Sequence, residues 1–108
     1  VSSKRALIMA ENLRGINEFP YYKTIAVDTS TTEIILPSEA RFITIGSETL
    51  TVYVTQNGAT DGGIVPTNRI FIPSNNLLPI RLGVGLQRKN IFVSAKTGSG
   101  NVNIQLEE

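Results

Sequence analysis

The sequence predicts a small all-β domain, an antiparallel β-sandwich of about eight short strands with the jelly roll as one possible closure. Three observations carry that prediction. The stretch from Arg41 to Thr55, RFITIGSETLTVYVT, alternates apolar and polar residues at the two-residue period of a strand on both sides of a short polar break. The stretch from Ile91 to Leu106 does the same around Thr97-Gly98-Ser99-Gly100. Between them, clusters of Gly, Pro, Asn and Ser return at regular intervals and leave room for short strands only.

Paired across the loop Gly46 to Thr49, the first stretch reads as a β-hairpin. Ile45 then faces Leu50, Ile43 faces Val52 and Arg41 faces Val54, while Thr44 meets Thr51 and Phe42 meets Tyr53 on the other side. The second stretch repeats the logic. Ala95 faces Val102, Val93 faces Ile104 and Ile91 faces Leu106, with Ser94 opposite Asn103 and Phe92 opposite Gln105 on a mostly wet face.

Taken in order, residues 1–19 stand apart from the sandwich of 20–108. Ser3 is placed to cap a short helix through Ala6, Leu7, Met9, Ala10 and Leu13, stopped near Gly15. With no second helix to pack on, this basic and apolar arm either lies across the domain or reaches a neighbour; a frayed terminus is the competing reading. Removing residues 1–14 is expected to leave the sandwich folded.

Phe19-Pro20-Tyr21-Tyr22 breaks the helix and leads into a strand over Lys23 to Thr29. Tyr21 and Tyr22 point to opposite faces of an extended chain, so at most one is a lid on the core and the other is left for contact. Thr32 to Leu36 is the next strand, ended by Pro37, which cannot donate to a central ladder. Gln56 to Asn68, with its Asn-Gly and Asp-Gly-Gly steps, is the longest loop and a candidate contact loop. Strands return at Arg69 to Ile72 and at Leu77 to Leu82, where Pro79 asks for an edge or a bulge. Gly83 to Gly85 is a flexible corner and Gln87 to Asn90 a polar connection.

Composition bounds the function. At 108 residues, 41% apolar and 18% charged, the chain suits one globular domain. Its net charge of +1 exerts no global pull, but the charge is uneven. Acids outnumber bases seven to five through Asp61; between Asp61 and Glu107 every charge is positive. The field of that half suits an acidic partner surface, although solubilising charge on exposed strands explains it equally well. No apolar run is long enough to span a bilayer, and the start is too short in apolar residues for a secretory leader, so no membrane partner is expected.

The chain has no histidine and no cysteine. That excludes a Ser-His-Asp triad, a thiolate nucleophile, disulfides and a His or Cys zinc site. Asp61 with Asn57 offers too few oxygens for calcium, and the glycines follow no strand–helix phosphate fingerprint. Asp28, Glu33, Glu39, Glu48 and Asp61 fall at strand ends and turns, where solvated charge is ordinary. Enzymatic activity and cofactors are therefore not expected. Nucleic acid is not expected either, because the basic half has only Phe71 and Phe92 as stacking platforms.

The tail LLPIRLGVGLQRKNIFVSAKTGSGNVNIQLEE resembles the closing strands of small tailed-phage virion proteins. The residues that carry the likeness are Ile91 to Ala95, Gly98 to Gly100 and Val102 to Leu106, roughly the last third of the chain. The resemblance implies a structural part in a capsid or tail, as a capsid decoration or cement protein made in the host cytoplasm and present in many copies on the particle. Its partners would be capsid or other virion proteins. Local reading supplies the candidate contact residues: Lys4, Arg5, Leu7 and Ile8 in the arm, Tyr21, Asn57 and Asp61, and the bases Arg81, Arg88 and Lys89. The alternative is a carbohydrate- or receptor-binding module, in which Tyr21, Tyr22 and Tyr53 stack on a sugar beside Asn57 and Asp61. An adaptor domain from an unrelated assembly is a third reading.

Overall fold

The computed structural model describes residues 9–56, 69–82 and 89–108. These form strands and no helix: β1 (Met9–Asn12), β2 (Tyr21–Val27), β3 (Thr32–Leu36), β4 (Phe42–Ser47), β5 (Val52–Thr55), β6 (Ile70–Ile72), β7 (Asn76–Arg81), β8 (Lys89–Ala95) and β9 (Gly100–Glu107). They make two sheets, a five-stranded one in the order β1-β3-β8-β5-β6 and a four-stranded one in the order β2-β9-β4-β7. All ladders are antiparallel except β1 on β3. The chain is a β-sandwich.

The pairing is nested. The second strand pairs with the ninth, the third with the eighth, the fourth with the seventh and the fifth with the sixth. Two further ladders, β4 on β9 and β5 on β8, join these pairs into sheets. The core lies between the sheets. Ile25, Val27, Ile43, Ile45, Val102, Ile104 and Leu106 enter it from one side; Ile34, Leu36, Val52, Val54, Ile72, Ile91, Val93 and Ala95 enter from the other. The strands β2 to β5, β8 and β9 supply most of this core from alternate positions, and burying one such aliphatic side chain contributes about 1.5–3 kcal/mol.

Neither hairpin expected from the sequence forms. β4 and β5 belong to different sheets, as do β8 and β9. Ile43 pairs with Leu106 and Ile80 rather than Val52, and Val93 pairs with Thr32 and Val54 rather than Ile104. The expected faces are nevertheless buried. Ile43, Ile45, Leu50, Val52 and Val54 all reach the core, but the strands on either side of the break meet across it instead of side by side. A period of two says which residues point inward; it does not say whether the next strand lies beside the first or opposite it.

The short polar breaks are corners that carry the chain from one sheet to the other. Four of them, at 28–31, 48–51, 73–75 and 96–99, gather at one end and are stitched together. Ala95 N–H donates to the Asp28 carbonyl (2.7 Å), Lys96 N–H to that of Thr51 (2.8 Å) and Asn75 N–H to that of Ser47 (2.7 Å). Ser47 is the knot. Its buried hydroxyl donates to the Asn101 carbonyl (2.7 Å) and accepts from the N–H groups of Thr49 (3.3 Å) and Leu50 (3.1 Å). At the 96–99 corner Gly98 takes φ +75°, a conformation that L side chains rarely adopt.

The amino-terminal segment corrects a second expectation. Met9–Asn12 is a strand laid parallel on β3, where good helix formers predicted helix. The edge of β3 offers those backbone groups partners that an isolated helical turn lacks, and tertiary pairing overrides propensity. Leu13 is buried and its N–H donates to the Ile35 carbonyl (2.7 Å), while Ile16 and Phe19 pack against the core. Residues 1–14 therefore include part of the folded domain. Pro79 lies on β7, at the edge of the four-stranded sheet, as its missing N–H requires. The loop expected at 56–68 and the corner at 83–85 lie outside the described residues, apart from Gln56, whose side-chain amide donates to the Arg81 carbonyl (3.4 Å); of the connection expected at 87–90, Lys89 and Asn90 instead begin β8.

Candidate interaction surfaces

With alternate residues committed to the core, the other half of each strand forms the outer face of its sheet, and the two outer faces differ in chemistry. On the five-stranded sheet, Glu33, Phe92 and Thr55 follow one another in register, with Ser94, Tyr53 and Phe71 in the adjacent row. Asn90 donates a side-chain hydrogen bond to Glu33. Arg69 stacks over the Tyr53 ring, its guanidinium carbon 3.6 Å from the centroid, which holds a cation against an aromatic surface. Phe71 is 64% exposed on the short edge strand β6, and Ile70, on the core-facing side in register with Val54, is 47% exposed at the same edge. This end of the sheet is apolar, aromatic and positive.

On the four-stranded sheet the register gives two rows. Tyr22, Gln105, Thr44 and Pro79 run across one; Thr24, Asn103, Gly46 and Leu77 run across the next. None of the eight is charged. Among the described residues, charge enters beyond the rows, with Glu107 and Arg81 flanking Phe42 at one end and Glu48 at the other. Tyr22 and Leu77 are 66% and 65% exposed. Thr24 donates its hydroxyl to Oδ1 of Asn103 (3.0 Å), which turns the Asn103 Nδ2 to the opposite side of the amide. Between β4 and the start of β7 lies a depression of about 260 Å³, lined by Gly46, Glu48, Asn75, Asn76, Leu77 and Asn103 together with Ser47. Asn76 Nδ2 donates to the Ser74 carbonyl (3.0 Å), leaving its Oδ1 as an acceptor. A second depression, of about 490 Å³, opens beside Asp28, Thr32 and Gly100 at the corner end; the Asp28 carboxylate there accepts from Ser30 N–H (2.8 Å).

The candidate contact residues read from the sequence are scattered by this arrangement. Tyr21 is half-buried and packs against the core in register with Leu106, so Tyr22 is the exposed member of the pair. Arg81 is exposed at the end of β7 in one sheet, and Lys89 begins β8 in the other, paired with Leu36. Lys4, Arg5, Leu7, Ile8, Asn57, Asp61 and Arg88 lie outside the described residues. Sequence reasoning passed over Arg69 on Tyr53, the Gly46 depression and the Thr24–Asn103 pair. The polar positions Asn103 and Gln105 are visible in the sequence as a wet strand face, but only the β2 and β4 neighbours turn them into a surface.

Among the described residues, no helix is long and apolar enough to cross a membrane, and no group of three or more acidic, His or Cys side chains gathers around a point. Comparison of the chain with protein-family models, with curated proteins and with solved structures finds no match.

Proposed function

We propose that this chain is a virion structural protein that decorates or cements a phage capsid in many copies, through contacts with other virion proteins. The observation that carries the reading is the patch on the five-stranded sheet. Phe71 exposes apolar surface on an edge strand beside the stacked Arg69, and Ile70 adds apolar surface from the other side of that edge, a combination suited to burial against an acidic, partly apolar protein surface. Enrichment of contact sites in aromatic residues and arginine is the usual pattern at such interfaces.

The strand order supports the same reading. Nested pairs two–nine, three–eight, four–seven and five–six, with nine meeting four and eight meeting five, are the pairing expected of a jelly roll, and we read the sandwich as one, an architecture that capsid domains use. Fold alone does not assign a role, so the patch and the phage-like tail have to supply it. Two of the remaining edges are blunted against strand addition, β7 by Pro79 and β2 by Lys23 on its core-facing side. Among the described residues, that leaves β6 and β1 as the other two sheet edges, and the arm residues Lys4 to Ile8 precede β1 in sequence.

Mixing the purified chain with empty phage shells tests the proposal. Sedimentation with the shells is expected, and Phe71→Asp is expected to abolish it while leaving the fold intact. Binding by Phe71→Asp equal to that of the wild-type chain would remove the patch from the account.

A further inference from the structure

The outer face of the four-stranded sheet carries a second surface whose chemistry differs from that of the assembly patch. We propose that it is a binding site for a neutral oligosaccharide, with one sugar ring seated in the depression at Gly46 and the chain running diagonally across β4 and β9 to Tyr22.

Four features argue for this occupant. First, the two central rows hold amides, hydroxyls, small residues and apolar surface without a charge, so a ligand crossing them meets hydrogen-bonding groups and, among the described residues of the rows, no ion to neutralise. Sugar hydroxyls both donate and accept, and the face offers both: Asn103 Nδ2 as donor, Asn76 Oδ1 as acceptor, and Thr44 and Gln105 as either. Second, the depression of about 260 Å³ is of the size of one pyranose with its water, and it has the aliphatic wall of Leu77 against which a ring's C–H face can lie. Third, Gly46 lets β7 close tightly on β4 and shape the depression, since any side chain there would run into the Asn76 carbonyl. Fourth, Tyr22 exposes an aromatic ring with a polar tip on the same face.

The distance between these anchors suits a chain rather than a single sugar. Gly46 and Tyr22 are separated by two inter-strand spacings and two residues along the strand, which places them roughly 12 Å apart. An extended oligosaccharide covers that span with two to three residues. Glu48 at the rim would repel an acidic sugar at the depression, so the site selects against sialylated and sulfated chains. The inference does not depend on the assembly role, because it concerns the opposite face and is tested on the isolated chain.

The experiment is a glycan array of neutral hexose, N-acetylhexosamine, sialylated and sulfated oligosaccharides, probed with the labelled chain. The strongest neutral oligosaccharide is then titrated against the ¹⁵N-labelled protein. Expected are hits among the neutral glycans, shift changes at the amides of Thr24, Thr44, Asn103 and Gln105, and a loss of affinity of about tenfold in each of Tyr22→Ala and Asn103→Ala, the weight of one ring contact or hydrogen bond. Phe71→Ala, on the other sheet, is expected to bind as the wild type does, and Tyr22→Ala serves as the variant whose exposed position leaves the fold undisturbed. No hit, hits confined to acidic glycans, shifts on another face, or undiminished binding by both variants would each overturn the proposal. So would concentration-dependent shifts on this face without glycan, which would make a second copy of the chain its occupant.

Discussion

Gly46→Ala is the substitution that most sharply separates this fold from the hairpin the sequence invites. In a hairpin, Gly46 opens a four-residue loop, where alanine is cheap. In the structure it lies inside β4 opposite Leu77, and a Cβ added there would stand 2.0 Å from the Asn76 carbonyl oxygen, 2.9 Å from Leu77 Cδ2 and 3.0 Å from the Asn76 carbonyl carbon. Two of those atoms are backbone, so no side-chain rotation relieves the contact. Real Cβ atoms stay beyond 3.0 Å, and β7 would have to retreat by about 1 Å along a ladder that also holds Asn75 N–H on Ser47. Overpacking of this kind costs about 1–3 kcal/mol, and a backbone obstacle places the substitution at the upper end. At about 4–8 °C per kcal/mol for a domain near this size, the melting temperature should fall by about 10–20 °C. Thermal and urea melts followed by far-ultraviolet circular dichroism measure it. Gly15→Ala, where nothing lies within 4 Å, is the control and should stay within about 0.5 kcal/mol of wild type. A Gly46→Ala protein as stable as that control would mean that β7 does not pack on β4 as described.

The remaining predictions concern the corners, the amino-terminal strand and the patch. Ser47→Ala leaves the Thr49 and Leu50 N–H groups and the Asn101 carbonyl without the hydroxyl they share, and should lower stability by about 1–3 kcal/mol. An unchanged urea midpoint would rule out the Ser47 knot. Deleting residues 1–14 should lower the midpoint more than deleting 1–8, because it also removes β1 and the buried Leu13, a further cost of at least the roughly 2–5 kcal/mol of a core leucine truncation. Equal midpoints for the two deletions would contradict the placement of β1. Phe71→Asp should leave the melting temperature within a few degrees of wild type, because its side chain is mostly exposed, while removing particle binding. A large loss of stability would instead assign Phe71 to the core.

What the sequence made legible was the inside of the protein. Ile43, Ile45, Val52, Val54, Ile91, Val93, Val102, Ile104 and Leu106 follow from alternation alone, and all are buried. Strand partners were not legible, for a physical reason. Gly46 to Thr49 and Thr97 to Gly100 have the composition of hairpin turns, and only contacts distant in sequence decide that the chain changes sheets there. Ser47 to Asn101 and Lys96 to Thr51 are such contacts. The strand at Met9–Asn12 was hidden for the same reason, since its partners on β3 lie 23 residues further along the chain. The surfaces follow the pairing. Tyr22, Gln105 and Thr44 are unremarkable singly and form one row only because β9 lies between β2 and β4.

Strand neighbours underlie both surfaces, and nuclear Overhauser contacts between backbone protons read them directly. The account predicts cross-strand contacts joining Thr44 to Gln105, Tyr22 to Gln105 and Tyr53 to Ser94. Contacts joining Thr44 to Thr51 and Phe42 to Tyr53, with none from Thr44 to Gln105, would return β4 and β5 to a single hairpin and contradict it.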